Sequence, residues 1–130
     1  MKEPVWVLSE VVLATHSMLL AEHGGSQGIR DEKLLESALS RPINKFNYES
    51  NSTLSNLAAS YSVGLAKNHP FVDGNKRIAL TVALIFLEIN GFVLQSPEAE
   101  TACVFDQLAS GKIKEQELSI WFDKYIEASS

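Results

Sequence analysis

The chain of 130 residues is poor in features that mark several classes of protein. Cys103 is the only cysteine, which excludes an intramolecular disulfide and a zinc site built from cysteines. We expect it to be a small core residue. Basic residues number 11 against 16 acidic ones, and the net charge of −5 argues against direct binding of nucleic acid. An acidic surface can still meet a basic protein partner.

Long apolar runs and targeting signals are also missing. The longest apolar stretch is interrupted by Thr81, Glu88 and Asn90, so no membrane span is expected. The first residues, MKEPVWVLSE, contain no basic segment followed by an apolar run, which predicts a cytoplasmic location. The length and the hydrophobic content of 45% are typical of a globular protein, and we predict one domain over residues 1–130.

The most informative segment is HPFVDGNKR at residues 69–77. Pro70 disfavours helix in the residues before it, and Gly74 permits backbone conformations that side chains forbid, so a loop is predicted here. The apolar residues that follow Asn75 predict a deeply buried helix ending near Asn90. The loop therefore leads directly into a helix N-terminus.

The residue types in this segment suit phosphate chemistry. A helix N-terminus attracts anions, whereas Lys76 and Arg77 in its first turn oppose the helix dipole by about 0.3–1 kcal/mol each, which suggests a bound anion. Asp73 can bind Mg²⁺ together with phosphate oxygens. His69 is the natural base for a hydroxyl proton at neutral pH. The segment thus predicts phosphoryl or nucleotidyl transfer, in which positioning and charge neutralisation dominate.

Other motifs and a purely structural role are alternatives for these residues. The segment is neither a P-loop nor an EF-hand, because the required second glycine and third calcium ligand are absent. Lys76 and Arg77 could instead form a solvated charge pair. Isolated histidines are more often structural than catalytic, so His16 and His23 receive no assigned role.

The pattern of apolar residues and caps predicts a mainly α, compact fold of about six helices around a central buried helix. The predicted helices cover approximately residues 9–22, 31–41, 53–68, 75–90, 96–110 and 114–128. Ser9, Asp31 and Ser96 are the expected N-caps, and Pro42 is expected just beyond the second helix, followed by a loop over residues 43–52. Residues 5–8 and 92–95 are candidates for a small two-stranded element.

HPFVDGNKR closely resembles the Fic/Doc signature H-x-F-x-[DE/N]-[AG]-N-[GK]-R. The early-helix histidine His16, the His23-Gly24-Gly25 turn, the Leu39–Pro42 segment and the FLEING end of the core helix resemble the Doc branch of that family. The resemblance covers most of the chain and implies a loop between the fourth and fifth helices of a helical fold.

The resemblance implies a role for each signature residue. His69 would be the general base towards a target hydroxyl, and Asp73 would bind Mg²⁺. Gly74 and Asn75 would form an anion hole, while Arg77 would pair with a phosphate. Lys67 would be a weak additional phosphate contact. The alternative, that it is simply an exposed lysine at the helix end, has equal weight.

Lys76 indicates which branch of the Fic/Doc family the chain resembles. AMP-transferring members usually have glycine at this position, whereas Doc toxins have lysine, and the resemblance therefore implies transfer of the terminal phosphate of ATP to a threonine of elongation factor Tu. AMP transfer to a protein hydroxyl stays open as an alternative, as does a catalytically silent antitoxin-binding or co-repressor module.

The resemblance also implies a separate antitoxin. Self-restrained Fic enzymes carry an inhibitory helix with [ST]-x-x-x-E-[GN], and the one matching spacing, Ser96 to Glu100, is followed by Thr101. We therefore expect an antitoxin protein whose helical segment lies in a groove near the motif.

Overall fold

The computed structural model describes residues 1–130 as six helices and two short strands. In chain order the elements are α1 (Ser9–His23), α2 (Glu32–Tyr48), α3 (Leu54–Asn68), α4 (Asn75–Ile89), β1 (Phe92–Leu94), α5 (Glu98–Ala109), α6 (Glu115–Tyr125) and β2 (Ile126–Ala128). The predicted mainly α class is confirmed. None of the helices is both long and apolar enough to cross a membrane.

Helix α3 is the most buried element of the fold. Every residue from 57 to 66 is buried, and α3 packs against α2, α4, α5 and α6. Small side chains allow this close approach: a Cβ added to Gly64 would lie 3.2 Å from the Cα of Ala38 in α2. Helix α4 packs along α3 as the predicted apolar helix and fixes the position of the motif loop between them.

Helix α2 is longer than the sequence predicts. Asp31 caps it as expected, since its carboxylate accepts a hydrogen bond from a first-turn backbone N–H at 3.1 Å. The helix then continues through Pro42 to Tyr48, so the prediction that residues 43–52 form a loop is wrong for most of them. Proline in a helix interior loses one backbone hydrogen bond. Burial of Pro42 and packing of Phe46 on the core offset that loss.

The two strands form a small antiparallel sheet at the end of the chain. The register pairs Phe92 with Ala128, Val93 with Glu127 and Leu94 with Ile126. The predicted pairing of residues 5–8 with 92–95 is wrong, because the side chain of Asn90 takes both backbone hydrogen bonds of Val5 instead. The last helix accordingly ends at Tyr125 and the chain continues as β2.

Three smaller expectations differ from the structure. Ser9 is the first residue of α1, and the preceding leucine occupies the cap position without a side-chain hydrogen bond. Pro97 rather than Ser96 occupies the cap position of α5, because the Ser96 hydroxyl bonds the Thr101 hydroxyl. Cys103 is exposed, since α5 is a surface helix that buries a narrow stripe.

Candidate active site

The HPFVDGNKR segment connects α3 to α4, not the fourth helix to the fifth. His69 ends α3 in the left-handed conformation with φ of 47°, and it is the only non-glycine residue of the chain with positive φ. Gly74, with φ of 78°, occupies the cap position of α4. Between them Phe71 is buried at 1% exposure and anchors the loop to the core.

The loop and the first turn of α4 line a cleft of about 380 Å³. All six residues that the sequence singled out lie along this cleft, together with three small or apolar neighbours. The lining residues are Ala66, His69, Val72, Asp73, Gly74, Asn75, Lys76, Arg77 and Ala109. A base, a carboxylate and two cations therefore face one shared space.

The N-terminus of α4 is open to a ligand. It has no side-chain cap and no acidic residue in its first turn. The backbone N–H groups of residues 75–77 make no hydrogen bond within the protein. Lys76 and Arg77 are exposed and add positive charge to the positive end of the helix dipole. This arrangement suits the binding of phosphate oxygens.

The carboxylate of Asp73 is held at the edge of the same turn. Its Oδ1 accepts a hydrogen bond from the Gly74 N–H at 2.8 Å, and its Oδ2 accepts one from the Ser26 N–H at 3.2 Å. Each oxygen keeps a further lone pair. The protein has no group of three or more metal-ligating side chains. The donor set thus fits a Mg²⁺ ion that shares its ligands with bound phosphate, not one that the protein binds alone.

The side chain of Asn75 faces the loop, so the contribution of this residue to the anion hole that the resemblance implies would come from its backbone. Its side chain is buried inside the loop, where Oδ1 accepts from the Phe71 N–H at 3.0 Å and Nδ2 donates to the Phe71 carbonyl at 2.9 Å. Only its backbone N–H is left for an anion. The same Nδ2 lies 3.1 Å from Nδ1 of His69. Because Phe71 fixes the orientation of the amide, Nδ1 accepts this bond and the neutral His69 ring carries its proton on Nε2.

Lys76 and Arg77 differ in their surroundings. Lys76 forms an ion pair with Asp106 of α5 at 2.5 Å, and both side chains are more than half exposed. An exposed ion pair contributes about 0–1 kcal/mol, so a phosphate can compete for Lys76. Arg77 makes no ion pair in the structure and is the free cation of the cleft.

Two residues beside the loop escaped assignment from the sequence. The buried His16 donates a hydrogen bond from Nε2 to the Asp73 carbonyl oxygen at 2.8 Å. Its ring stacks on the ring of Phe71, with the two ring centroids 3.7 Å apart. Its spacing of four residues from the buried Val12 indicated an inward position but not this partner. Arg30 bonds the backbone at the end of α3, and no pattern in the sequence indicated that contact.

The remaining candidates lie away from the cleft. Lys67 is exposed in the last turn of α3 and does not line the cleft. His23 is exposed beside Glu22 and lines a second, larger groove of about 640 Å³ between α1, α4, β1 and α5. The apolar part of that groove consists of Leu19, Leu80, Leu84, Leu94 and Ala102. Arg77 lines both the groove and the cleft, so the two spaces meet there.

Comparison of the sequence with those of known proteins identifies one family. The sequence model described as "Fic/DOC family" matches residues 6–87, which include the whole motif loop. The "Protein kinase doc" of Escherichia phage P1 is 38% identical over 90 residues, covering 68% of this chain and 71% of that protein. The "Toxin Doc" of Mycolicibacterium smegmatis is 42% identical over 72 residues, covering 55% of each chain. The chain belongs to the Fic/Doc family.

Proposed function

We propose that this protein is the toxin of a toxin–antitoxin system and an ATP-dependent phosphotransferase. Its acceptor would be a threonine or serine hydroxyl of a translation factor, with elongation factor Tu as the expected target in the cytoplasm. The observation that carries the proposal is the single cleft in which His69, Asp73 and the open N-terminus of α4 meet. The names of the relatives, a protein kinase and a toxin, support it.

In the proposed binding mode, backbone N–H groups are the main donors to the phosphates of ATP, and side chains supplement them. Phosphate oxygens of ATP would accept hydrogen bonds from the N–H groups of residues 75–77, and the unpaired Arg77 would add a charge-assisted bond. Asp73 and the phosphates would hold Mg²⁺, which supplies neutralisation of the phosphate charge when bound.

In the proposed reaction His69 accepts the proton of the target hydroxyl. The hydroxyl oxygen forms a bond to the terminal phosphorus of ATP, the bond from that phosphorus to the bridging oxygen breaks, and ADP leaves. The resting ring carries its proton on Nε2, so a base at Nε2 requires the other neutral tautomer. Since His69 is exposed, exchange with water can move the proton from Nε2 to Nδ1. The ring then turns so that the protonated Nδ1 no longer faces the Asn75 amide, which is itself a donor.

AMP transfer is the second candidate, and the ion pair of Lys76 keeps it open. The lysine that distinguishes Doc toxins from AMP-transferring members is engaged by the carboxylate of Asp106 in α5 rather than left free for a phosphate. In that reaction the hydroxyl would attack the α-phosphorus and pyrophosphate would leave. The same base and carboxylate would serve both reactions.

Labelled ATP separates the candidates. The protein is incubated with elongation factor Tu, or with cell extract, and with ATP labelled on the α or the γ phosphate. We expect protein-bound label from γ-labelled ATP only, and none with His69→Ala. Label retained only from the α position would overturn the kinase proposal in favour of AMP transfer. Growth inhibition that is equal for wild type, His69→Ala and Asp73→Ala would instead indicate a catalytically silent module.

The proposed antitoxin would occupy the larger groove. Its apolar floor suits the apolar face of a helix, and its junction with the cleft at Arg77 would let a bound segment reach the phosphate site. An acidic residue on that segment would pair with Arg77 and exclude ATP phosphates. The antitoxin would thus inhibit by direct competition.

A further inference from the structure

We infer that Arg30 is a positioning residue for His69, because its guanidinium group fixes the backbone from which the proposed base projects. This inference rests on the proposed function, in which His69 takes the hydroxyl proton. Arg30 lies in the segment before α2, 39 residues from His69 and outside the signature.

The contact is a two-point clamp on the end of α3. Arg30 Nε donates to the His69 carbonyl at 2.6 Å, and a terminal nitrogen donates to the Asn68 carbonyl at 2.7 Å. The last carbonyls of a helix have no partner within the helix. A planar guanidinium can satisfy two of them at once, and its charge is favourable at the negative end of the helix dipole.

The clamp acts where the backbone is strained. A left-handed conformation is unfavourable for histidine, and such conformations persist only where the surroundings hold them. The backbone of the Arg30 segment adds to the restraint, since the N–H groups of Arg30 and Asp31 both donate to the Pro70 carbonyl, at 2.7 and 3.1 Å. Asp31 also caps α2, so the start of that helix fixes where the guanidinium lies.

Loss of the clamp is predicted to slow the chemical step and to leave ATP binding almost unchanged. Arg30 bonds the residues that carry the base, whereas the phosphates would bind at residues 75–77, which it does not contact. Without the clamp the imidazole would lose its alignment with the acceptor hydroxyl. Because a displacement of about 1 Å costs roughly 100-fold in rate, kcat should fall while the KM for ATP stays within about threefold.

The test measures kcat and KM for ATP with Arg30→Ala and Arg30→Lys in the full chain. We expect kcat to fall about 10–100-fold in Arg30→Ala, with partial recovery on adding millimolar guanidinium, and less recovery from the lysine variant, which lacks the planar fork. Arg41→Ala is the matched control, because that exposed arginine pairs with Glu115 of α6 away from the cleft. Its kcat should equal that of the wild type.

A second measurement separates this inference from the proposed function. The imidazole signals of His69 and amide exchange at residues 69–71 are recorded by NMR for the same variants. Both should change in Arg30→Ala and not in Arg41→Ala. Unchanged kcat or unchanged His69 signals in Arg30→Ala would overturn the positioning role. A wild-type protein that transfers no label would overturn the proposed function, and the NMR comparison would still decide what Arg30 does.

Discussion

The side chain of Asn75 is buried, and its burial determines which groups this motif residue can contact. Its sequence position beside Gly74 suggested an anion contact, but its amide satisfies the backbone of Phe71 and the ring of His69. An unsatisfied backbone group in this buried loop would cost about 1–3 kcal/mol, which explains why the amide faces inward. The proposed anion site would therefore depend on backbone N–H groups and Arg77.

The first prediction concerns the tautomer of His69. In the free wild-type protein at alkaline pH, we expect Nε2 to be protonated and Nδ1 to be an acceptor, because the Asn75 amide donates to Nδ1. In Asn75→Asp the carboxylate accepts from the ring, so the proton should move to Nδ1. Long-range ¹H–¹⁵N correlation spectra distinguish the two. A protonated Nδ1 in the neutral wild-type ring would contradict this assignment.

The second prediction concerns Asp73 and magnesium. We expect Mg²⁺ to tighten ATP binding to the wild type and to have little effect on Asp73→Asn, because the amide removes the one carboxylate at the site. Chelation of the metal should abolish transfer, and added Mg²⁺ should restore it. Calorimetric titration with and without the metal measures the difference. Asp106→Asn, also exposed and near the cleft, should keep the full response to Mg²⁺.

Helices α2 and α3 illustrate how small residues organise the fold. At the crossing of Gly64 and Ala38, a Cβ added to Gly64 would be crowded by the Cα of Ala38 at 3.2 Å, although neither residue stands out by hydropathy. Small residues contribute little to an apolar pattern, yet they determine how closely two helix axes approach. The burial of α3, which places His69, therefore depends on packing more than on periodicity.

We expect Gly64→Val to lower the free energy of unfolding by about 1–3 kcal/mol, because the backbone of Ala38 blocks the added atoms. Ser60→Ala on the same helix is the matched control. The Ser60 hydroxyl is buried without a hydrogen-bond partner, so its removal should be neutral or stabilise by about 1 kcal/mol. Urea denaturation measures both. A large loss of stability in Ser60→Ala would reveal a partner for that hydroxyl.

Glu100 joins α5 to α6 and gives the fold a pH dependence. Hydrogen bonds from the Trp121 Nε1–H and then the Tyr125 hydroxyl lower the pKa of its carboxyl group. A lowered folded-state pKa contributes stability that is complete above the unfolded value, about 4.3, and is lost as the pH falls through the folded value. The Tm difference between wild type and Glu100→Gln should therefore shrink on acidification below about pH 4.

Thermal unfolding from neutral to acidic pH checks this expectation. Glu98→Gln is the control, because Glu98 is exposed in the first turn of the same helix and accepts neither hydrogen bond. At neutral pH its Tm difference from the wild type should be smaller than that of Glu100→Gln. A Glu100→Gln difference that is constant with pH would show that the two hydrogen bonds do not favour the ionised carboxylate.

The two cavities of the molecule have one lining residue in common. The cleft and the apolar groove are separate spaces that share Arg77, so a ligand in one can affect the other through that residue. The elements around the groove, α1, α4, β1 and α5, come from both halves of the chain. A groove of this kind forms only when the whole molecule is folded.

We expect Leu84→Glu to weaken antitoxin binding by about 100-fold or more, because a charge on the groove floor would be buried by an apolar helix face. Transfer activity should remain, since Leu84 does not line the cleft. Ile120→Glu is the control, as Ile120 is a 64% exposed apolar residue on α6 outside the groove. Titration with the proposed antitoxin measures binding. Equal affinities for both variants would place the antitoxin elsewhere.

The nine residues of the motif were sufficient to predict the loop and the presence of a histidine, a carboxylate and two cations in one place, and the apolar residues after it predicted the helix. They could do so because neighbours within one turn of chain cannot lie far apart, whatever the rest of the molecule does. The same locality made the cap at Asp31 predictable.

Tertiary structure decided the features that depend on distant partners. The bonds from His16 to the Asp73 carbonyl, from Arg30 to the His69 carbonyl and from Lys76 to Asp106 join residues 57, 39 and 30 positions apart. The passage of α2 through Pro42 depends in the same way on packing against the core. Periodicity reports which face of an element is apolar, whereas the partner of a polar group is fixed only when the elements pack together.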